Sequence, residues 1–553
     1  MISKAQYKVL FVLISAVYAT GMFVTLFEND SAQFAVMAMR MLQENDFLSL
    51  FKGPEEYLDK PHLHYWLAAI SFKIFGLHDW AYRIPGIMAT FLAAYSCFGL
   101  GRLLYSVQVG RLAALIFMTA QTIVLAAIDV RTDGVLTGFV ALAIWQLASF
   151  LEKENLKNLL AGAVAMGLAF STKGQIAVLV IGLPLLCHTI YRNKWKVLAS
   201  WKILLAVAVF FLTISPVLYA YYLQFDLHPE KIIRGRGNRS GVFFILWEQS
   251  FERLSGEGIG KNSSDYFFFF HTFLWVFLPW TVLAVLAYIS RSRKLIKVNF
   301  KQTKDLEVLT LGGITMVFLI ISFAQFKLPH YLNITIPLFA VLTASYVYEL
   351  IHSKNERLKK GILGFQQFIF LLVIVFAVLV VVVVFPLASF WSYTAYLILG
   401  ILLVLFIFRK KVFFKRLVYV SAGSALLLNT VLNTHFYPSL LKYQAGSEMA
   451  RIVAANNIPV DRIYKIGERY SWALDFYNQK PVKISATENL KVQGDYWVYA
   501  TDEELAILKN EGLFWEESYT VKQFRITRLQ AKFLNPASRL EVLNRMHLVH
   551  LRF

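Results

Sequence analysis

The sequence predicts an all-α polytopic membrane protein with about 13 transmembrane helices, further helices beside the membrane in its outer loops, and a small C-terminal α/β domain. Three observations predict this fold class. Apolar residues make up 57% of the 553 residues and charged residues only 16%, whereas soluble proteins have about 45–50% and about 25%. Apolar runs of membrane length recur up to residue 431, and none follows residue 435. Basic residues concentrate in alternate loops between these runs.

The transmembrane helices are predicted from the apolar runs. A hydrocarbon core about 30 Å thick requires roughly 20 apolar residues per helix. The first run follows a short basic start and has no small-residue cleavage site, so we expect an uncleaved anchor. The 13 predicted spans are residues 9–27, 84–105, 112–128, 135–151, 159–170, 176–191, 203–223, 269–289, 309–324, 332–350, 362–386, 393–408 and 417–431.

The orientation is predicted from the charges of the short loops. The loops 191–204, 291–304, 352–360 and 409–416 hold 19 basic residues and one acid, Glu356. Three of the loops between them hold one basic residue each, and a fourth, 386–393, holds none. Since basic loops stay in the cytoplasm, the N-terminus is expected inside and the C-terminal domain outside. The net charge of +20 is then a topology signal, and nucleic acid is not expected as a partner.

Two long loops and the C-terminal region are expected on the outer side. Residues 27–82 contain two amphipathic pieces, 31–42 and 64–77, which we expect to lie as helices in the membrane interface. Together with residues 225–268 they are expected to form a site within a membrane domain of residues 1–435. Residues 436–553 are expected to form the α/β domain, with helices at 446–456 and 501–512 and strands at 462–467, 496–500 and 519–529.

Ionisable residues gather at the predicted outer ends of the helices. Charged groups near a membrane are costly and mark functional sites by default. If these helix ends converge, they frame a cavity that can hold a phosphate beside a polar acceptor. The charges concerned are Asp30, Asp59, Lys60, Arg83, Asp133, Lys173 and Lys327.

Each of these residues also has a plainer explanation. Asp30 or Asp133 can cap a helix N-terminus, and Lys173 or Lys327 can snorkel to head groups. The basic loop at residues 231–239 is either a phosphate cradle or a loop on the lipid surface. His62 and His64, with Asp59, are the candidate ligands for a zinc ion, a site that two histidines two residues apart indicate only weakly. Only the whole set of residues indicates a function.

Six motifs in this set carry a resemblance to a known family. Along the chain they are the acid Asp30 after the first span, Lys-Pro at residues 60–61, Arg-Ile-Pro at 83–85, Asp133 before Leu-Thr at 136–137, Thr-Lys-Gly at 172–174 and Lys-Leu-Pro-x-Tyr at 327–331. In these motifs the chain resembles the GT-C membrane glycosyltransferases. The similarity is to the bacterial branch related to the dolichyl-phosphate-mannose protein mannosyltransferases and the lipid A aminoarabinose transferase, and it covers roughly residues 1–435.

The resemblance implies a glycosyltransferase of the bacterial inner membrane. It implies a donor sugar on a polyprenyl phosphate, transferred with inversion and without a nucleotide to a lipid, glycan or protein acceptor on the periplasmic face. It implies no cofactor and no obligatory metal. Asp30 matches the catalytic acid of the first loop and Asp133 the second acid. The residues expected to bind the donor phosphate or sugar are Tyr57, Asp59, Lys60, Arg83, Arg131, Lys173, Lys327, His330 and Tyr331.

The first motif departs from the family. Where relatives commonly have Asp-Glu-x-Arg-Tyr, this chain has Asp-Ser-Ala-Gln-Phe at residues 30–34, which leaves the acceptor open. Two other functions stay open as well. A transporter or flippase of lipid-linked sugars also needs polar groups in a bundle, although its site normally lies near the bilayer midplane. A non-catalytic assembly protein would work through residues 436–553 alone.

Overall fold

The computed structural model describes residues 3–249, 251–252, 265–303, 306–409, 412–467, 470–486 and 494–552. Helices dominate this part of the chain up to residue 440. The helices of the N-terminal half are α1 Lys4–Gly21, α2 Asp30–Gln43, α3 Leu63–Phe75, α4 Asp79–Leu104, α5 Val107–Thr119, α6 Gln121–Ile128, α7 Thr132–Lys153, α8 Leu156–Lys173, α9 Gln175–Arg192, α10 Trp195–Leu198, α11 Lys202–Tyr221 and α12 Gly241–Phe243.

The second half of the membrane part continues this pattern. Its helices are α13 Phe268–Val276, α14 Thr281–Lys297, α15 Leu309–Phe323, α16 Ile336–His352, α17 Glu356–Leu379, α18 Phe390–Phe408, α19 Phe413–Val431 and α20 Tyr437–Leu440. A 3-10 helix, Pro329–Thr335, leads into α16. Every one of the 13 apolar runs is therefore helical over most of its length, because a backbone without access to water must satisfy its hydrogen bonds within the segment.

Two of the predicted spans are each made of two helices. In the run 112–128, α5 and α6 meet at Ala120 with a bend of 54°. In the run 269–289, α13 and α14 are separated by Pro279, which has no amide hydrogen to continue a helix. Trp280 follows this break, is fully buried, and donates its indole Nε1–H to the Thr119 hydroxyl at 2.8 Å. This hydrogen bond connects the break between α5 and α6 with the break between α13 and α14.

The protein is a multi-pass membrane protein by the length and composition of its helices. Within the described ranges, seven helices are long and apolar enough to cross a membrane, or eight if the bent pair α5–α6 is one span. Three shorter apolar helices, at Leu63–Phe75, Leu309–Phe323 and Phe390–Leu405, accompany them. The all-α membrane fold is confirmed, and the count of 13 crossings stays a prediction.

The expected place of the first amphipathic helix is wrong. Helix α2 does not lie on the lipid surface, because all residues from Ser31 to Met39 are buried. It packs between α3 and the short helix Trp472–Tyr477 of the C-terminal region. The amphipathic pattern of α2 therefore reflects packing between two protein elements, and not a helix with lipid on one side and water on the other.

The C-terminal region contains a five-stranded mixed sheet. Its helices are α21 Ala445–Ala455, α22 Trp472–Tyr477, α23 Asp502–Asn510 and α24 Ala531–Leu534. A two-stranded hairpin in the first long loop supplies β1 Phe51–Lys52 and β2 Glu55–Glu56, and the sheet consists of β3 Ile463–Ile466, β4 Lys483–Ser485, β5 Asp495–Thr501, β6 Glu517–Gln523 and β7 Asn544–Arg552. The strand order is β4-β3-β5-β7-β6, with β3 parallel to both neighbours and β7 antiparallel to both.

Most of the predicted elements of this region are confirmed. Thr501 and Glu504 form the expected capping box at the start of α23. The predicted helix 446–456 is α21, and the predicted strands 462–467 and 496–500 correspond to β3 and β5. The strand predicted over 519–529 is too long, because β6 ends at Gln523 and residues 524–529 form no strand. The small C-terminal α/β domain is thus present.

Candidate active site

An acid and a lysine meet where α7 begins and α8 ends. Asp133 is the second residue of α7 and Lys173 the last residue of α8. A negative charge at a helix N-terminus and a positive charge at a C-terminus are each stabilised by the helix dipole. The Lys173 Nζ and Asp133 Oδ1 atoms are 2.5 Å apart, and their side chains are only 9% and 4% exposed. The two residues form a buried ion pair.

Gly174 fixes the end of α8 directly after Lys173. Its φ of +71° lies in the region that favours glycine, and a side chain there would meet Gln249 Oε1 at 2.4 Å. Its ψ is −151°, and essentially only glycine adopts this combination of angles. The Thr-Lys-Gly motif therefore places the lysine at the helix end and lets the loop of Gln249 approach it.

A second set of ion pairs lies beside the first. The Arg131 guanidinium contacts Asp30 Oδ2 through Nη1 and Asp129 Oδ2 through Nη2, both at 2.9 Å. Its Nη1 also lies 3.3 Å from His330 Nδ1. Because arginine can only donate, Nδ1 of His330 accepts and Nε2 carries the hydrogen. That Nε2 faces Asp133 Oδ2 at 3.6 Å.

These contacts join residues from four parts of the sequence into one cluster. We call Asp30, Asp129, Arg131, Asp133, Lys173 and His330 the helix-end cluster, since each lies at or next to a helix terminus. Lys60 lies close enough for its charge to act on both Asp133 and His330. The convergence that the sequence predicted for Asp30, Lys60 and Asp133 is therefore present in the structure.

An apolar groove meets this cluster at Lys173. It has a volume of about 300 Å³, and Lys173 and Tyr331 line it together with Gln175 and Gln249. The Lys173 Nζ lies 4.4 Å from the centre of the Tyr331 ring. The rest of the lining is apolar and comes from α7, α9, α15 and the segments around them: Leu136, Ile176, Leu179, Trp247, Phe251, Ile320, Ile321, Ala324, Phe326 and Ile334. The groove can accept a hydrocarbon chain whose polar end reaches Lys173.

The three side chains of the Tyr57-x-Asp59-Lys60 motif contact different parts of the protein. Tyr57 packs against Tyr65, with ring centres 6.4 Å apart. The Asp59 carboxylate pairs with Arg234, and its backbone carbonyl accepts a hydrogen bond from Gln249. Lys60 acts on the helix-end cluster through its charge.

Arg83 is placed differently from the sequence prediction. Its guanidinium is fully buried and donates to three backbone carbonyls, those of Ile128 at 2.8 Å, Met22 at 2.9 Å and Thr25 at 3.4 Å. Through these hydrogen bonds Arg83 connects α4 to the C-terminal end of α6 and to the segment that follows α1. A guanidinium that is occupied by carbonyl groups is not available to a phosphate.

Replacing Arg83 with methionine is expected to lower the free energy of unfolding by about 1–3 kcal/mol for each buried carbonyl left without a donor. Affinity for a polyprenyl phosphate should not change. Chemical unfolding in detergent micelles measures the first quantity, with Arg102→Met as the control because Arg102 is an exposed residue of the same helix. A stable Arg83→Met protein that no longer binds the lipid would restore the phosphate-binding role.

The described contacts of Lys327 involve residues outside the helix-end cluster. Its Nζ is 5.3 Å from the centre of the Tyr266 ring, and its charge interacts with Asp265. Burial lowers the pKa of Lys327 below its usual value. Its neighbour Phe326 lines the groove, so Lys327 lies next to a residue of the groove wall.

The three candidate zinc ligands do not come together. The Nε2 atom of His62 contacts the Leu48 carbonyl at 2.9 Å, and that of His64 contacts the Tyr82 hydroxyl at 3.0 Å. Burial lowers the pKa of both histidines to about 4. Among the described residues, no group of three His, Cys, Asp or Glu side chains is arranged to hold a metal ion. The pattern of two histidines reflects packing.

The basic loop 231–239 joins the two long loops through ion pairs. Arg234 contacts Asp59 and Glu252, and Arg239 contacts Glu248 and Glu252. Lys231 pairs with Glu56 at 2.7 Å. Neither sequence interpretation, a phosphate cradle or a loop on the lipid surface, describes this arrangement.

The sequence interpretation missed Asp129 and Glu28. Asp129 precedes Arg131 by two residues, and this close spacing of opposite charges was a usable signal. Glu28 is bonded to the C-terminal region by contacts that span 444 residues of sequence, so no local pattern could have indicated its partner.

Comparisons with known proteins relate the chain to membrane glycosyltransferases. The model of the family described as Dolichyl-phosphate-mannose-protein mannosyltransferase matches residues 59–220. An undecaprenyl phosphate-alpha-4-amino-4-deoxy-L-arabinose arabinosyl transferase from Edwardsiella ictaluri is 24% identical over 356 residues, which are 64% of this chain and 60% of that protein. A similarly named transferase 2 from Proteus mirabilis is 22% identical over 58% of this chain and 55% of that protein. The chain thus matches less than two thirds of the length of these relatives.

Solved structures establish the fold. The crystal structure of ArnT from Cupriavidus metallidurans bound to undecaprenyl phosphate superposes with a TM-score of 0.74 at 16% identity, covering 99% of this chain and 98% of that one. The apo state of the same protein gives a TM-score of 0.71. The fold that the resemblance implied, a GT-C helical membrane part followed by a small α/β domain, is confirmed.

Proposed function

We propose that this chain, which is related to the GT-C membrane glycosyltransferases, transfers a monosaccharide from a polyprenyl phosphate to an acceptor at the periplasmic face of the bacterial inner membrane. The observation that carries the proposal is that Lys173 of the helix-end cluster lines an apolar groove of about 300 Å³. Residues 1–435 would be the transferase domain, with the N-terminus in the cytoplasm, and residues 436–553 the periplasmic domain.

The groove suits the donor lipid. Its lining is apolar except for Lys173, Gln175, Gln249 and Tyr331. A prenyl chain that lies along α9 and α15 would bring its phosphate to Lys173. The positive charge of Lys60, which acts on Asp133 beside Lys173, would then also act on that phosphate. Cations in a site with little water stabilise the charge of a leaving phosphate by several kcal/mol, against about 1 kcal/mol in bulk water.

The sugar would then lie against Asp30 and Arg131. The acceptor oxygen attacks the anomeric carbon from the face opposite the phosphate, and the bond from that carbon to the phosphate oxygen breaks, which inverts the configuration. If the acceptor is a hydroxyl group, its proton passes to the Asp30 carboxylate, whose side chain is 39% exposed and therefore accessible. An acceptor phosphate is already ionised, and Asp30 would orient it instead.

The names of the relatives guide the choice of donor. Two of them are named as undecaprenyl phosphate-dependent aminoarabinosyl transferases, and the ArnT crystal structure was solved with undecaprenyl phosphate. Undecaprenyl phosphate is therefore the first carrier to test. The departure at residues 31–34 from the motif of the family leaves a lipid, a glycan and a protein as acceptors to compare.

The test is transfer by the purified full-length protein in proteoliposomes. Undecaprenyl phosphates carrying 4-amino-4-deoxyarabinose, mannose or glucose are offered as donors with lipid A, a glycan or a peptide as acceptor, and products are identified by mass spectrometry. We expect turnover with at least one donor. Movement of the lipid-linked sugar across the bilayer without any transfer would contradict the proposal and favour a flippase.

Filling the groove should weaken donor binding. We expect Ile176→Trp to weaken undecaprenyl phosphate binding by about 10-fold or more, because the larger ring occupies volume that the chain needs. Ile190→Trp is the matched control, since Ile190 lies on the same helix but is 58% exposed and outside the groove. Equal affinity of both variants, measured by native mass spectrometry, would place the lipid elsewhere.

A further inference from the structure

The C-terminal domain holds the chain segment that delivers Asp30 to the site. We call residues 22–29, between α1 and α2, the α1–α2 loop. The Leu26 amide donates to the Tyr477 hydroxyl at 2.8 Å, and the Glu28 amide donates to Gln444 Oε1 at 2.7 Å. Gln444 Nε2 in turn donates to the Leu26 carbonyl at 2.9 Å. Two side chains of the C-terminal region thus satisfy three backbone groups of this loop.

Glu28 adds a side-chain connection to the same region. Its Oε1 accepts from the Trp472 amide at 2.7 Å, and its Oε2 accepts from the Ala473 amide at 3.3 Å. Both amides belong to α22, which packs through Phe476 against Phe72 of α3. The carboxylate of Glu28 is therefore anchored to a helix that is itself fixed on the membrane part.

The backbone between Glu28 and Asp30 is strained. Asn29 has φ of 70° and ψ of −123°, a region that side-chain-bearing residues rarely adopt. Its carbonyl accepts from the Gln33 amide at 2.8 Å. Such strain persists only where the surrounding contacts impose it. Here the contacts of Glu28 on one side and the start of α2 on the other impose it.

Arg83 holds the opposite side of the loop. Its guanidinium donates to the Met22 and Thr25 carbonyls, so the loop is fixed between α4 and the C-terminal domain. The loop leads directly to Asp30, which pairs with Arg131 in the helix-end cluster. A shift of this loop would move the carboxylate relative to the donor.

We propose that the C-terminal domain is a positioning element of the transfer site, and that Glu28 is the positioning residue through which it fixes the carboxylate of Asp30. This inference rests on the proposed function. Glu28 does not contact the helix-end cluster in any described contact, so it acts through the backbone rather than on the substrates.

The ionisation of Glu28 gives a way to separate positioning from stability. Burial raises the pKa of Glu28 to about 7, more than its two amide hydrogen bonds and Lys465 lower it, and Asp475 also raises it. A carboxyl group with a higher pKa in the fold than in the unfolded chain destabilises the fold as the pH rises through this window. Glu28→Gln removes this ionisation but also one of the two oxygen atoms that accept from the Trp472 and Ala473 amides. Its unfolding temperature at about pH 8 is therefore measured beside its rate, so that a lower rate in a folded variant is not ascribed to unfolding.

The test compares Glu28→Gln and Tyr477→Phe with Glu44→Gln. Glu44 is the matched control because it lies at the far end of α2 and its side chain is 54% exposed. With the most active donor of the panel, we expect both test variants to lower kcat by about 10-fold or more, since small misplacements of a reacting group have large kinetic costs. Their affinity for undecaprenyl phosphate should stay within about 2-fold of the wild type.

A combined variant decides whether Glu28 acts through Asp30. Added to Asp30→Asn, Glu28→Gln should lower the residual rate no further, because residues that act as one unit are not additive. Wild-type kcat in both test variants, or a full additional loss on top of Asp30→Asn, would overturn the inference. If Glu28→Gln does not fold, Tyr477→Phe alone decides. Absence of transfer by the wild type would overturn the proposed function instead.

Discussion

Replacing Asp30 with asparagine is expected to lower the rate of sugar transfer by about 10²–10⁴-fold, the range that a general base contributes. Asparagine keeps the shape of the side chain and can still accept a hydrogen bond from Arg131, but it cannot take up a proton. The Asp30 side chain is 39% exposed, and exposed ion pairs contribute only about 0–1 kcal/mol to stability. The variant should therefore stay folded in the membrane.

The measurement is single-turnover transfer in proteoliposomes, together with binding of undecaprenyl phosphate. Binding should be unchanged, because the groove and Lys173 are intact in the variant. Glu44→Gln, directly after the same helix, is again the control. Transfer at the wild-type rate would remove Asp30 from the reaction. A loss smaller than about 10-fold would indicate that Asp30 only orients an acceptor that is already ionised.

Hydropathy and loop charge were sufficient to locate the helices, since both follow from the absence of water in the bilayer. The breaks at Ala120 and Pro279 and the position of α2 were not predictable in the same way. The amphipathic pattern of α2 is the same whether its apolar face meets lipid or protein. Only the C-terminal domain, more than 400 residues later in the sequence, makes the second layer protein.

The sequence predicted which residues gather at the candidate site, but not which of them pair with each other. Asp30 and Arg131 lie 101 residues apart and Asp133 and Lys173 lie 40 apart. Asp30, Asp133 and Lys173 were among the charges at predicted outer helix ends, and Arg131 was among the residues expected to bind the donor. Which cation meets which acid depends on helix packing. Arg83 shows the limit most clearly, because a guanidinium serves carbonyl groups and phosphates equally well and its sequence context is the same in both cases.

Replacing Lys173 with methionine is expected to lower both stability and donor affinity. Removing one partner of a buried ion pair leaves the other charge uncompensated, at a cost of about 3–5 kcal/mol. In this case the charge left behind is that of Asp133, which is only 4% exposed. Loss of the cation at the end of the groove should weaken undecaprenyl phosphate binding by about 2–5 kcal/mol. Lys196→Met, at an exposed lysine, is the control.

The double variant Asp133→Asn, Lys173→Met separates these two effects. It removes both charges, so most of the lost stability should return, as measured by chemical unfolding in detergent micelles. Donor affinity should not return, because the cation that meets the phosphate is still missing. Recovery of both quantities together would mean that Lys173 serves only to neutralise Asp133, and the phosphate would then have to be bound by Lys60. Recovery of stability without recovery of donor affinity would show that Lys173 binds the phosphate. In that case the neutral pair would preserve the fold, and the lost affinity would be due to the missing positive charge alone.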